Sequence, residues 1–182
     1  AFYGWEDDVV EGSSLSDIIY AGDGDNIVNA GAGNDFVIAG NGNDVIVAGA
    51  GDDEVRAGSG FDEIDAGSGD DRIVLNGGSC ADVTGGTGSD TFVVRRFADV
   101  SIDDAIEAGE TNTLVLQNVS YNCVDLLSTE GGLRLRADGT NVLLRNFDPL
   151  DPLAKRSFDE IVFEYGSSSV TLSYEEIGRA HV

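Results

Sequence analysis

The sequence predicts an all-β solenoid, on three observations. Residues 21–74 read AGDGDNIVN, AGAGNDFVI, AGNGNDVIV, AGAGDDEVR, AGSGFDEID, AGSGDDRIV, six nine-residue units with no insertion between them. Glycine occupies unit positions two and four in every copy. Position eight is always Val or Ile: Val28, Val37, Ile46, Val55, Ile64 and Ile73. A short unbroken period specifies a stack of equivalent units, each packed on its neighbours. A glycine-rich disordered linker has no reason to place Val or Ile at every ninth position.

Each unit follows from its residue types. Alternating glycines reach backbone angles closed to other residues, so the first half is a tight turn. The second half is a three-residue strand whose middle side chain points inward. One turn and one strand reverse the chain, so two units complete a coil, and units eighteen residues apart stack at roughly 4.8 Å. Position six carries Asn26, Asp35, Asp44, Asp53, Asp62 and Asp71. Stacking therefore sets Asp44 beside Asp62 and Asp35 beside Asp53. Rows of like charge repel, and no Lys lies in residues 21–74 to neutralise them. A divalent cation between stacked turns removes the conflict, and hard carboxylate and carbonyl oxygens select Ca²⁺.

The pattern G-G-x-G-x-D-x-U-x, with U a large apolar residue, is the haemolysin-type or RTX calcium repeat. The six units resemble it closely, with Ala in place of the first Gly. The resemblance implies a right-handed parallel β-roll holding several Ca²⁺ ions, about four to eight. It implies ligation by position-six side chains and turn carbonyls of units two apart. The turn glycines concerned are Gly22, Gly24, Gly31, Gly33, Gly40, Gly42, Gly49, Gly51, Gly58, Gly60, Gly67 and Gly69. The complete stacked pairs are Asn26 with Asp44, Asp44 with Asp62, Asp35 with Asp53, and Asp53 with Asp71. Asn26 lacks a charge, so its site is expected to be the weakest of the four.

The flanks keep the register imperfectly. Residues 3–11 and 12–20 place Asp8 and Asp17 at position six and Val10 and Ile19 at position eight, but Glu6 and Leu15 replace the position-four glycine. They read as opening turns with weak or absent calcium sites. After Val74 the period slips. LNGGSCADVT is ten residues long, with Asp82 near the expected acid position, and GGTGSDTFV restores the pattern with Asp90 and Phe92. The extra residue predicts a bulge or widened turn, which weakens the case for the calcium pairs that the pattern would otherwise make of Asp62 with Asp82 and of Asp71 with Asp90. The outward strand positions change along the roll, from Ile27, Phe36, Ile38, Val45 and Val47 to Glu54, Arg56, Glu63, Asp65 and Arg72. Glu54 and Arg72 should stack as neighbours of opposite charge.

From about Arg95 the repeats stop, and the roll is expected to occupy residues 3–94. Short apolar alternations follow at 113–119, 132–136, 141–147, 159–165 and 169–174, and 103–108 reads as one helical turn. Asp138-Gly139 marks a hairpin turn, and Gly166-Ser167-Ser168 a second. Residues 95–177 thus read as an antiparallel β region capping the roll, since a bare end strand invites aggregation. NTLVLQNVS, GGLRLRADGTNVLLRNF and FDEIVFEYGSSSVTLSYEEI resemble the haemolysin-type calcium-binding-related segment that follows RTX repeats.

Charge narrows the functions. With 10 bases and 34 acids the net charge is −24. Residues 1–94 hold 19 of the acids against 2 bases. Nucleic acid and anionic membrane are poor partners for such a surface, and no apolar run approaches the roughly 18 residues of a membrane span. Catalysis is hard to build. The sole histidine, His181, lies in a tail that matches the translated start of a common sequencing adapter, and 178–182 is expected to be non-native. No zinc helix, phosphate loop or nucleophile–histidine pairing is present, and calcium binding already accounts for the paired carboxylates. Met is absent and the chain opens at Ala1, which reads as a fragment or processed product without a visible signal peptide. Cys80 and Cys123 are read as two unpaired thiols, the alternative being a bridge between the slipped repeat and the cap.

The expected function is a calcium-binding module, not an enzyme in itself, at the C-terminal end of a secreted protein exported by a type I secretion system. Its folding would be driven by extracellular Ca²⁺. One alternative is an adhesive or glycan-binding module, with Tyr3, Trp5, Tyr20 and Phe36 as sugar contacts. Another is the C-terminal domain of a secreted hydrolase or epimerase whose catalytic part lies upstream.

Overall fold

The computed structural model describes residues 4–104, 109–121, 124–129, 132–145, 158–173 and 176. Apart from single helical residues at Tyr121 and Glu176, the elements among them are strands. The order is β1 (Val9–Ser13), β2 (Ile18–Tyr20), β3 (Ile27–Ala32), β4 (Phe36–Asn41), β5 (Val45–Ala50), β6 (Glu54–Ser59), β7 (Phe61–Ser68), β8 (Arg72–Leu75), β9 (Cys80–Thr87), β10 (Thr91–Arg95), β11 (Asp99–Ile102), β12 (Thr113–Gln117), β13 (Asp125–Thr129), β14 (Gly132–Ala137), β15 (Thr140–Leu144), β16 (Glu160–Tyr165) and β17 (Ser168–Ser173). No helix of the described residues is long and apolar enough to cross a membrane.

The strands wind into two sheets. One runs β1-β3-β5-β7-β9-β11-β15-β14-β13 and the other β17-β16-β12-β10-β8-β6-β4-β2. Alternate strands fall in the same sheet because each unit is one turn and one strand. Within the repeats all pairing is parallel, with register 18 residues apart, as in Val28 with Ile46 and Val37 with Val55, and 19 apart across the ten-residue unit, as in Ile64 with Val83 and Ile73 with Phe92. The structure is the parallel β-roll that the period predicts.

Two apolar rows form the core. Val10, Val28, Ile46, Ile64 and Val83 stack inward from one sheet. Ile19, Val37, Val55, Ile73, Phe92, Leu114 and Ile161 stack from the other. All are buried. Burying each such side chain contributes about 1.5–3 kcal/mol, so the rows are the main apolar support of the roll. A third set was not foreseen. Ala21, Ala30, Ala39, Ala48, Ala57 and Ala66, at unit position one, are 0% exposed. Their methyl groups fill the core beneath the turns, which explains why Ala replaces the first Gly of the pattern.

The turn glycines are required by backbone geometry. Gly40 and Gly42 sit at φ 115° and 136°, and a Cβ on either would collide with the carbonyl of Gly22 or Gly24 in the turn below. A side chain would both strain the backbone and push the stacked turns apart.

Beyond the repeats, parallel winding continues. β11 pairs parallel with β9 and β15, and β12 with β10 and β16. The antiparallel cap is made by β13–β14–β15 and by β17 on β16. The Asp138-Gly139 hairpin is present, with φ 48° and 80°, and Gly166 turns at φ 62°. Strands β11 and β13 were not read from the sequence. The helical turn expected at 103–108 falls partly outside the described residues, as do Tyr3, Cys123 and the 178–182 tail. Cys80 is a free, exposed thiol.

Candidate metal centre

The position-six side chains are carried into the interior by the turn and strand of their own unit. Asn26, Asp35, Asp44, Asp53, Asp62, Asp71 and Asp90 are all 0–3% exposed. Each reaches to the unit below with one oxygen. On one side, the amides of Asp8, Asn26 and Asp44 donate to Oδ1 of Asn26, Asp44 and Asp62 at 3.0, 2.8 and 3.1 Å. On the other, the amides of Asp17, Asp35, Asp53 and Asp71 donate to Oδ1 of Asp35, Asp53, Asp71 and Asp90 at 2.7, 2.7, 2.8 and 2.9 Å. The Asp90 amide donates to Asn112 Oδ1 at 2.8 Å, ending that ladder on an amide.

The second oxygen distinguishes the units. Oδ2 of Asp35, Asp44, Asp53, Asp62, Asp71 and Asp90 is buried with no hydrogen-bond partner. Asn26 shows what surrounds that position, because its Nδ2 donates to the carbonyls of Gly24 at 3.0 Å and Gly22 at 3.4 Å. By the symmetry of the repeat, each aspartate puts an oxygen where Asn26 puts an NH₂. An oxygen facing carbonyl oxygens, with no donor, requires a cation or a proton.

Burial pushes these carboxyls up from their usual range. Asp53 and Asp62 rise to about 6, and Asp71 to about 7, with desolvation the largest cause and the stacked aspartates adding to it. Asp35, Asp44 and Asp90 are raised for the same leading reason. The amide that each Oδ1 accepts lowers the pKa but does not offset burial.

Among the described residues no group of three or more Asp, Glu, His or Cys side chains converges as a metal cluster. A cation in a turn would draw on one or two carboxylates and otherwise on main-chain carbonyls. That donor set is all hard oxygen, which suits Ca²⁺ and not Zn²⁺.

The opening turns differ. Asp17 Oδ2 accepts from the Ser13 amide at 2.8 Å and the Ser13 hydroxyl at 2.7 Å, and Asp8 Oδ2 from the Gly4 amide at 3.4 Å. The Ser at position two therefore satisfies its own turn without an ion.

Asp82 does not join the ladder. Asp62 is opposite Ala81, while Asp82 is opposite Glu63 and ion-paired to Arg145 Nη2 at 3.1 Å. The extra residue is absorbed in the turn at Asn76–Ser79, where the Ser79 amide and hydroxyl donate to Asn76 O. The count then leaves Asp82 one position beyond the ladder, and strand alternation turns its side chain outward. Asp71 and Asp90 do pair. Glu54 and Arg72 are neighbours in register, but Glu54 forms its ion pair at 2.6 Å with Arg56 of the same strand.

Position five carries a second ladder that sequence reading missed. The amides of Asn43, Asp52, Asp70 and Ser89 donate to Oδ1 of Asp25, Asn34, Asp52 and Asp70. It runs the opposite way to the inner ladder and on the exposed side of the turn. The signal was present, as Asp or Asn recurs there in five of the six units with only Phe61 departing.

Asn26→Asp should convert a self-satisfied turn into one with an orphaned oxygen. Titration calorimetry is expected to show one site tightening; unchanged affinities would mean that this turn holds no ion.

No curated protein matches the chain. The RTX calcium-binding nonapeptide repeat family matches four times, over residues 2–37, 11–46, 29–64 and 47–79. A period of nine, glycine turns stacked carbonyl on glycine, and inward aspartates are the features of that repeat, and residues 2–79 of this chain carry four matches to the RTX calcium-binding nonapeptide repeat.

Proposed function

We propose that the chain is a calcium-triggered folding module of a type I-secreted bacterial protein. The observation that carries this is the set of buried Oδ2 atoms on six repeat aspartates, none with a donor. Asp35, Asp44, Asp53, Asp62, Asp71 and Asp90 are the side chains that would hold Ca²⁺, with carbonyls of the turn glycines completing the shell. The ion supplies positive charge inside the turns, where the repeats place none; Arg56 and Arg72 lie on the strands. Without it, like charges stack in a low-dielectric turn and the chain entropy of folding is not offset. In calcium-poor cytosol the chain would remain open enough to thread an exporter, and millimolar Ca²⁺ outside would bind only the folded roll. The opening turns at Asp8 and Asp17, and the Asn26 turn, would contribute least. Calcium titration followed by circular dichroism and hydrodynamic radius tests the reading. The expected result is a cooperative gain of β structure with compaction; a chain equally compact in chelator would overturn it.

The glycan-binding alternative has a narrower basis. Trp5 is 89% exposed, but Phe36 is covered by the Arg56 guanidinium at 5.0 Å, which removes a stacking face. Calcium-dependent retention on a glycan column would favour it. Whether a catalytic domain of a hydrolase or epimerase precedes the module is a question for the upstream gene sequence.

A further inference from the structure

The last complete turn of the roll, Gly85 to Asp90, has no repeat turn stacked after it. Its described neighbours are Asp104, Glu110 and Asn112, which lie between β11 and β12. In earlier turns the position-four amide donates to a main-chain carbonyl of the next turn, as Gly51 does to Ser68 O. Here two acids replace that turn. Gly88 N donates to Glu110 Oε1 at 2.8 Å, and Gly86 N donates to Asp104 Oδ1 at 3.2 Å. Asp104 occupies the core-facing row continued from the unit-position-one residues and is 2% exposed. Its Oδ2 accepts from Asn112 Nδ2 at 2.6 Å.

Asp90 is 0% exposed, and its Oδ2 has no partner. Gly85 replaces the alanine that stands at position one in the six earlier units. A Cβ built on Gly85 would lie 2.5 Å from Asp90 Oδ2 and 2.8 Å from Asp104 Oδ2. The two carboxylate oxygens therefore flank the space that a methyl group fills elsewhere, with the Phe92 ring edge, 2.8 Å from the same point, closing its apolar side. An orphaned buried oxygen, a second buried carboxylate and a gap between them define a place for a hard cation.

We propose that Asp104, from outside the repeats, joins Asp90 to form a terminal Ca²⁺ site that closes the roll. The inference rests on the calcium reading above. Carbonyl oxygens or water would complete the shell, since two carboxylates supply only part of the six to eight ligands that Ca²⁺ takes. Glu110 adds negative charge near the site, consistent with its place among the causes that raise Asp90.

The test is the number of Ca²⁺ ions bound by the full chain, counted by calorimetry and by metal analysis after dialysis. Asp104→Asn and Gly85→Ala are each expected to bind one ion fewer than the wild type, with the roll still formed at saturating calcium. Gly85→Ala keeps both carboxylates but its methyl must displace the buried Phe92 ring edge, so circular dichroism at saturating calcium is run on both variants to confirm that the roll has formed. Unchanged stoichiometry and affinity in Gly85→Ala would overturn the terminal site while leaving the repeat sites intact. A wild-type chain that binds no calcium would overturn the calcium reading itself, and this proposal with it.

Discussion

Asp53→Ala is expected to raise the calcium midpoint of folding by roughly tenfold or more, among the largest effects of any single side chain in the roll. Asp53 lies in the middle of its ladder. Its Oδ1 accepts the buried Asp35 amide at 2.7 Å, and its own amide donates to Asp71 Oδ1 at 2.8 Å. Truncation orphans a buried amide, where hydrogen bonds to charged groups contribute about 1.5–3 kcal/mol. It also removes a carboxylate from the stacked pairs on both sides. Asp44→Ala should act similarly on the other ladder. Asp71→Ala joins them, because the structure stacks Asp71 on both Asp53 and Asp90. Asp17→Ala should shift the midpoint far less, since Ser13 already satisfies that carboxylate at the end of the stack. Circular dichroism against calcium concentration measures all four. Equal midpoints would mean that the ladder carboxylates do not hold the ions that drive folding. Excess Ca²⁺ should restore the fold and Mg²⁺ should not, as the smaller ion keeps its water and demands octahedral geometry.

The calcium midpoint should also rise steeply as pH falls from 7.5 to 5.5. Protons compete with Ca²⁺ for the same oxygens. For a single-proton competition over that range the loss of affinity is roughly 4-fold at a carboxyl with pKa about 6, such as Asp53, and roughly 25-fold at one with pKa about 7, such as Asp71. The calcium-free roll has the opposite trend. These carboxyls have folded pKa values above the ordinary 3.8, so the folded state binds more protons between the two values. Their contribution to stability is fully present below pH 3.8 and is lost as pH rises through about 6 to 7. In chelator, the roll should therefore gain structure on acidification; in calcium, it should lose affinity. Midpoints unchanged between pH 5.5 and 7.5 would show that the ligands are ionised throughout and that the buried oxygens are not the binding groups.

The nine-residue period alone settled the winding of residues 21–74, the inward row of Val and Ile, the left-handed glycines and the identity of the inner aspartates. Those are local consequences repeated in register: one turn and one strand per unit, with each residue type doing the same work in every copy. It also distinguished Asn26, because an amide cannot replace a charge. What it could not settle lies where the repeat breaks. The ten-residue unit placed Asp82 near the ladder by count, but strand alternation put Ala81 there and turned Asp82 to Arg145. The end of the pattern at Arg95 suggested that winding stops, yet parallel pairing continues through β11, β12, β15 and β16, because strand addition needs only backbone groups and an inward apolar side chain. Asp104, Glu110 and Asn112 have no period to betray them. Only stacking on the last glycine turn brings them to its unpaired amides, and only the missing methyl of Gly85 opens the space between Asp104 and Asp90.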